Sequence, residues 1–232
     1  MDQDRPFMDE MIAYYRARAP EYDQWFLRQG RYFRGEEQRR SWQAAAAVVE
    51  EALRQAQPRG DVLELACGTG LWTRHLVGQA ASLTAVDASP EAIAINRQRV
   101  GDGRVEYRVA DLFTWKPGRQ YDFAFFGFWL SHVPAGRFVP FWEGVRGALR
   151  PGGRVFFVDS LLESGSAAID HRPPDPSGLS ERKLNDGRTF TIVKVFYEPG
   201  LLEQRLADLG WHGSVRAAGP HFLYGCVQPA TG

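Results

Sequence analysis

The chain has 232 residues, 44% of them apolar and 24% charged, and its 28 basic and 28 acidic residues cancel to a formal charge of zero. That composition suits one globular domain with a sizeable core. With no run of about five like charges, it offers a nucleic-acid backbone or an anionic membrane little to hold, so the expected partner is a small molecule and the oligomeric state stays open. Cys67 and Cys226 make neither a disulfide framework nor a metal set, no stretch reaches the ~18 apolar residues of a membrane span, and the N-terminus MDQDRPFMDE is polar and acidic; a cytoplasmic setting without a metal site is expected.

In chain order, MDEMIAYYRARAPEYDQWFLRQGRY has helical apolar spacing broken at Pro20, and residues 1–34 read as a helical lid ahead of the main domain, 35–232. Residues 35–57, alanine-rich, predict a helix stopped by Pro58. Strands and helices then alternate: DVLELA, the helix LWTRHLVGQA, SLTAVDA, and the helix SPEAIAINRQRVG with Ser89 as N-cap and Pro90 in its first position. VEYRVADL and YDFAFFGF follow as strands, RFVPFWEGVRGALR as a helix, and GGRVFFVDS as a fifth strand after the stop at Pro151-Gly152-Gly153. An insertion of about residues 163–197, rich in Ser, Pro, Gly and charge, holds an Asp-Gly turn in LNDGRTF, so SERKL and RTFTIVKVFY predict a hairpin tipped by Asn185 to Gly187. The helix EPGLLEQRLADLG and the strands GSVRAA and HFLYGCV complete the chain, the last pair closing the sheet in antiparallel fashion. The pattern is α/β: a Rossmann-like, doubly wound, mostly parallel seven-stranded sheet with an N-terminal helical lid and a hairpin insertion after the fifth strand.

In such a sheet the ligand lies at the carboxyl ends of the strands. Those positions hold Glu64 and the turn Ala66-Cys67-Gly68-Thr69-Gly70, then Asp87, Asp111, Phe126-Gly127, and Asp159-Ser160. Glycines allow close backbone approach, and strand-end acids accept hydrogen bonds from hydroxyls or an ammonium. A nicotinamide dinucleotide would want a third glycine where Thr73 stands, and Glu64 would repel its pyrophosphate. A ligand with a cationic head, one ribose and no phosphate suits these acids better.

S-adenosylmethionine is such a ligand, and Glu64-Leu65-Ala66-Cys67-Gly68-Thr69-Gly70 resembles motif I of the class I S-adenosylmethionine-dependent methyltransferases, E/D-x-G/A-x-G-x-G, with Ala66 where glycine is common. The similarity runs through Asp87, ADLFTW and LRPGGRVFFVDS, over roughly residues 60 to 160. The resemblance implies that Ala66, Cys67, Gly68 and Gly70 cradle the methionine part with Trp72 nearby. It also implies that Glu64 orients the loop, Asp87 with Ala88 takes the ribose hydroxyls, Asp111 with Leu112 recognises adenine, and Phe126 and Gly127 line the methyl. YYRARAPEYD resembles the N-terminal cover of small-molecule methyltransferases, making Tyr15 and Tyr22 the expected lid residues.

Methyl transfer from a sulfonium needs proximity and alignment, and a base only when the acceptor is a phenol or an acidic ring nitrogen. His132, in FGFWLSHVP, is either that base or a packed or capping histidine; His171, in IDHRPPDP, is a second candidate on the substrate side, while His75, His212 and His221 read as structural or surface residues. The sequence lacks the N/D-P-P-Y/F pattern of nucleic-acid amino methyltransferases, the paired-glutamate loop of arginine methyltransferases and the strand-end acid of magnesium-dependent catechol enzymes. What remains is an aromatic set, Tyr14, Trp25, Phe128, Trp129, Phe196 and Tyr197, that lines a pocket or else belongs to the core; Arg172 and Arg182 either meet an anionic substrate or are solvated. The expected activity is methyl transfer to oxygen or nitrogen of a small aromatic or heterocyclic metabolite in secondary-metabolite or quinone biosynthesis, with S-adenosylhomocysteine as by-product. The rival is a non-catalytic S-adenosylmethionine-binding module, a partner subunit or sensor.

Overall fold

The computed structural model describes residues 4–162, 166–172, 174–175 and 177–230. Nine strands are present among the described residues: β1 (Asp61–Leu65), β2 (Ser82–Asp87), β3 (Val105–Val109), β4 (Tyr121–Gly127), β5 (Leu149–Ser160), β6 (Leu179–Lys183), β7 (Thr189–Val193), β8 (Trp211–Ala218) and β9 (Phe222–Pro229). Seven form one sheet in the order β3-β2-β1-β4-β5-β9-β8, and β6 and β7 form a hairpin of their own. Strands β1 to β5 run parallel; β9 pairs antiparallel with both β5 and β8. The strand order reverses between β1 and β4, which opens a crevice at their carboxyl ends.

The central strands are apolar at nearly every position because helices cover both faces, and successive side chains feed opposite layers. Phe125 and Phe156 pack with Trp42, Val49 and Leu53 of α3 (Glu36–Gln55) and Leu76 of α4 (Thr73–Val77), whereas Phe126 and Phe157 pack with Trp142 and Val145 of α6 (Phe138–Gly147) and Leu202 and Leu206 of α7 (Pro199–Asp208). Helix α5 (Pro90–Val100) starts as its sequence predicts, the Ser89 hydroxyl accepting from the Ala92 amide at 3.0 Å, and stops at Gly101 in the left-handed conformation, φ 60°.

Two boundaries differ from the sequence reading. The helix expected from LWTRHLVGQA shrinks to the five residues of α4, because Leu71 and Trp72 are spent as buried plugs beneath the glycine turn. Strand β5 begins before Pro151-Gly152-Gly153: Leu149 already pairs with Tyr121, and a register shift between Tyr121 and Phe123 takes up the irregular residues as a bulge.

Ahead of the sheet, α1 (Arg5–Arg18), a 3-10 turn at Ala19–Glu21 containing Pro20, and α2 (Tyr22–Phe26) lie over the carboxyl ends of the strands. Helix α1 packs Met11 and Tyr14 on Leu184, Ile192 and Val193 of the hairpin, whose turn bends at Gly187, φ 93°. Lid and hairpin therefore share a small core of their own. The insertion's first residues, 163–165, lie outside the described residues.

Candidate active site

The turn after β1 bends through three left-handed residues, Ala66 (φ 54°), Gly68 (φ 51°) and Gly70 (φ 89°). At Gly70 a Cβ would sit 2.6 Å from Asn96 Oδ1, so only glycine fits. Ala66 holds its conformation at a cost of about 1–2 kcal/mol. Buried Asn96 on α5 props the loop: its Nδ2 donates to the carbonyls of Cys67 (3.2 Å) and Gly68 (3.3 Å) and to Thr73 Oγ1 (2.8 Å). Thr73 in turn hydrogen-bonds Glu64, a buried carboxyl whose Oε2 has no partner and whose pKa burial pushes up to about 8.

Asp87 and Asp111 both line the strand-end cleft. Asp87 accepts from the Gly68 amide (2.9 Å) and the Ser89 amide (2.8 Å), fixing the glycine turn to the next helix start. Asp111 accepts from the Phe113 amide (3.0 Å) and from Arg5 of α1 (3.2 Å). Each carboxylate thus caps a turn and still has lone pairs facing the cleft. The narrow cavity, about 80 Å³, also brings together Tyr15, Tyr22, Ala66, Gly68, Ala88, Leu112, Gly127, Phe128, Trp129 and His132 from the sequence-derived set. Trp129, expected on the acceptor side, lies here against Phe113, centroids 5.2 Å apart. Glu64, Cys67 and Gly70 do not line this cavity; Trp72 packs on Phe125, and the Phe126 side chain on the sheet's far face against Phe157. Thr69 of the glycine turn, Met11, Ile12, Ala19, Ser89, Ala92 and Phe113 complete the lining, none of them assigned to the site from the sequence.

A second cavity of about 320 Å³ adjoins the first across Tyr15, Tyr22, Phe128 and His132. Trp25, His171, Arg172 and Phe196 line it, with Tyr14 of the aromatic set, Ser160 at the end of β5 and Arg182, read from the sequence as either substrate-facing or solvated; Arg18, Tyr32 and Lys194 join them without having been assigned from the sequence. Tyr197 is absent from it and packs on Phe138, centroids 5.8 Å apart.

Its polar lining is cationic. Arg18 is 7% exposed, ringed by Tyr22, Tyr14, Tyr32 and Tyr15 with its guanidinium carbon 4.9 to 5.9 Å from their centroids; it donates to Tyr32 Oη at 3.3 Å, and its Nε has no partner. Arg182, 8% exposed, donates among the described residues only to Ser180 Oγ and backbone carbonyls. Lys194 donates to Ser131 Oγ at 2.7 Å and lies 3.5 Å from Asp159, a carboxylate already holding the Ser131 and Ser160 amides. Among the described residues no carboxylate pairs with Arg18 or Arg182.

His132 sits in the wall between the cavities. Its Nδ1 lies 2.6 Å from the Val193 carbonyl, which can only accept, so Nδ1 carries the proton and Nε2 accepts from Tyr15 Oη at 2.7 Å. Burial, reinforced by Lys194, drives its pKa well below the usual histidine range. His171 accepts from the Lys183 amide (3.1 Å), and burial with nearby Arg182 pulls it down to about 4. Both rings are neutral near pH 7.

Residues 62–153 match the family model described as "Methyltransferase domain". The chain is 34% identical over 104 residues to trans-aconitate 2-methyltransferase of Streptomyces avermitilis, a match spanning 41% of this chain and 37% of that protein. Among solved structures it resembles the DhpI–SAH complex at 45% identity, TM-score 0.81, over 97% of this chain and 98% of that one. The DhpI–SAM–HEP complex matches at 44% identity, TM-score 0.80, over 96% and 98%. A glycine turn shaped by Asn96, strand-end acids around a lidded cleft, and this full-length likeness agree: the chain belongs to the class I S-adenosylmethionine-dependent methyltransferases, with S-adenosylmethionine as methyl donor and S-adenosylhomocysteine as product.

Proposed function

We propose that the protein methylates an anionic oxygen of a small organic acid. The observation that carries this reading is the 320 Å³ chamber beside the strand-end cleft, lined by buried Arg18 and Arg182 and by largely covered Lys194, with no carboxylate on either arginine among the described residues. A buried cation without a counter-charge is costly, and an incoming oxyanion offsets that cost. The cationic lining moves the acceptor from the aromatic or heterocyclic metabolite expected from the sequence to an acid; Tyr14, Tyr32 and Trp25 then serve as hydroxyl donors and walls. One relative supports an acid, being named for trans-aconitate, a carboxylate, and the DhpI complex, with a third component, HEP, beside SAM, supports a chamber that takes a second ligand.

In this reading the backbone of Ala66 to Gly70 holds the methionine part, Asp87 the ribose and Asp111 with Leu112 the adenine. The donor supplies a methyl group on a positively charged sulfur, already electrophilic. An oxyanion brings its own electron pair, so the O–C bond forms as the C–S bond breaks, and no proton changes hands. His132 then need not be a base: with Nε2 engaged by Tyr15, it fixes the phenol at the boundary between the cavities, and alignment there supplies the acceleration. An open chamber on the acceptor side of that boundary favours turnover over a binding module that merely holds the donor.

The test is a mass-spectrometric screen with S-adenosylmethionine against phosphonates, phosphates, carboxylates, phenols and nitrogen heterocycles. A gain of one methyl on acids is expected; methylation confined to neutral phenols or heterocycles overturns the reading.

A further inference from the structure

We infer that the anionic acceptor latches the lid over the methyl donor, and that methylation, by removing one negative charge, releases the latch. This rests on the acid-acceptor reading above. Helix α1 serves both cavities at once: Met11, Ile12 and Tyr15 face the strand-end cleft, while Tyr14 and Arg18 face the chamber, with Tyr15 in both. Helical spacing makes these adjoining faces of one rod, so α1 cannot leave one cavity without uncovering the other.

What holds α1 down on the donor side is modest. Arg16 pairs with Glu91 of α5 at 2.8 Å and Arg5 with Asp111 at 3.2 Å, both with half-exposed arginines. Asp23 of α2 takes the Thr69 hydroxyl at 2.6 Å and pairs with Arg99. On the chamber side the roof is set against itself: α1 brings Arg18, the hairpin brings Arg182, and Lys194 follows β7 directly. Burial lowers the pKa of Lys194; Asp159 offsets part of this, while Arg182 and Arg18 lower it further, like charges crowding one chamber. A closed lid without an anion keeps that repulsion; an anion among the three cations removes it and ties α1 to the hairpin.

Two consequences follow. Donor and acceptor bind with positive coupling, each raising the other's affinity by the same factor. A cleft of about 80 Å³ beneath α1 admits the donor only with the lid raised, so the donor enters first and the acceptor closes over it. Turnover converts a charged oxygen into an ester, and the weakened latch lets both products leave.

Calorimetry of S-adenosylhomocysteine binding to the full chain tests this, with inorganic phosphate as probe against sodium chloride at matched ionic strength. Phosphate is expected to tighten S-adenosylhomocysteine about tenfold, monomethyl phosphate less. In Arg18→Gln the ratio of affinities with and without phosphate should fall to one. Should phosphate bind the chain while leaving S-adenosylhomocysteine affinity unchanged, the latch is wrong and the acid-acceptor reading survives. If phosphate does not bind the S-adenosylhomocysteine complex at all, both fall. A retained ratio in Arg18→Gln also overturns the latch.

Discussion

The two cavities that meet at Tyr15 and His132 are built on opposite electrostatic plans. The strand-end cleft is acidic, and its acids are used twice: Asp87 and Asp111 cap turns through backbone amides while facing the ligand space. The chamber beside it is basic, and its bases are underused, Arg18 having one neutral hydroxyl partner and an idle Nε. A side chain already satisfied by its own fold marks a site whose shape precedes the ligand; one left wanting marks a site that the ligand completes.

The largest effect expected of this contrast lies on the acidic side. Glu64 has a folded pKa of about 8 against an ordinary 4.5, because it is buried. Between those values the folded chain keeps a proton that the unfolded chain has lost. Stability therefore is greatest on the acid side and falls as pH rises toward about 8, by about 5 kcal/mol in all. Denaturation of the ligand-free protein across pH should show this slope, and Glu64→Gln should flatten it; an unchanged slope in the variant would remove Glu64 as its source.

Next comes the basic side. Arg182→Gln should lower kcat/KM for an acidic acceptor about a hundredfold by removing a buried charged donor, mainly through KM. An undiminished kcat/KM would mean that the chamber's charge has nothing to do with the acceptor. Asp87→Ala should weaken S-adenosylhomocysteine binding by about 2 kcal/mol, measured calorimetrically, through lost charge-assisted hydrogen bonds; unchanged affinity would leave Asp87 a turn-capping residue alone. Smallest is Arg16→Ala: its exposed pair with Glu91 should leave stability by thermal or chemical denaturation nearly unchanged, and a clear loss would show that the lid is held mainly from the donor side.

The acidic cleft was readable in the sequence because its parts are local and periodic. Glu64 to Gly70 is one uninterrupted turn, and Asp87 and Asp111 each sit where an apolar strand ends. The Asp-Gly turn announced the β6–β7 hairpin in the same way. The chamber had no such signature. It gathers Arg18 from α1, Tyr32 from the turn after α2, Ser160 from the end of β5, Arg182 from β6 and Lys194 just beyond β7, segments that only the tertiary fold joins. In a chain of 28 basic residues with lysine only at Lys116, Lys183 and Lys194, one buried arginine looks like any other. Arg182 was read as either solvated or substrate-facing, and nothing short of its burial separates the two. The aromatic residues divided for a similar reason: Trp25 and Phe128 reach the chamber while Tyr197 faces the opposite layer, a matter of sheet side that composition does not encode.

A formal charge of zero conceals a roof that collects positive residues above a floor that collects negative ones. Such a molecule is neutral at a distance and polarised close in. An approaching acid feels no pull until it is within about one Debye length, ~8 Å at physiological ionic strength, and from there the field turns it charged end first toward the chamber mouth. Capture should therefore slow with added salt even near the isoelectric point, where net charge alone would predict indifference.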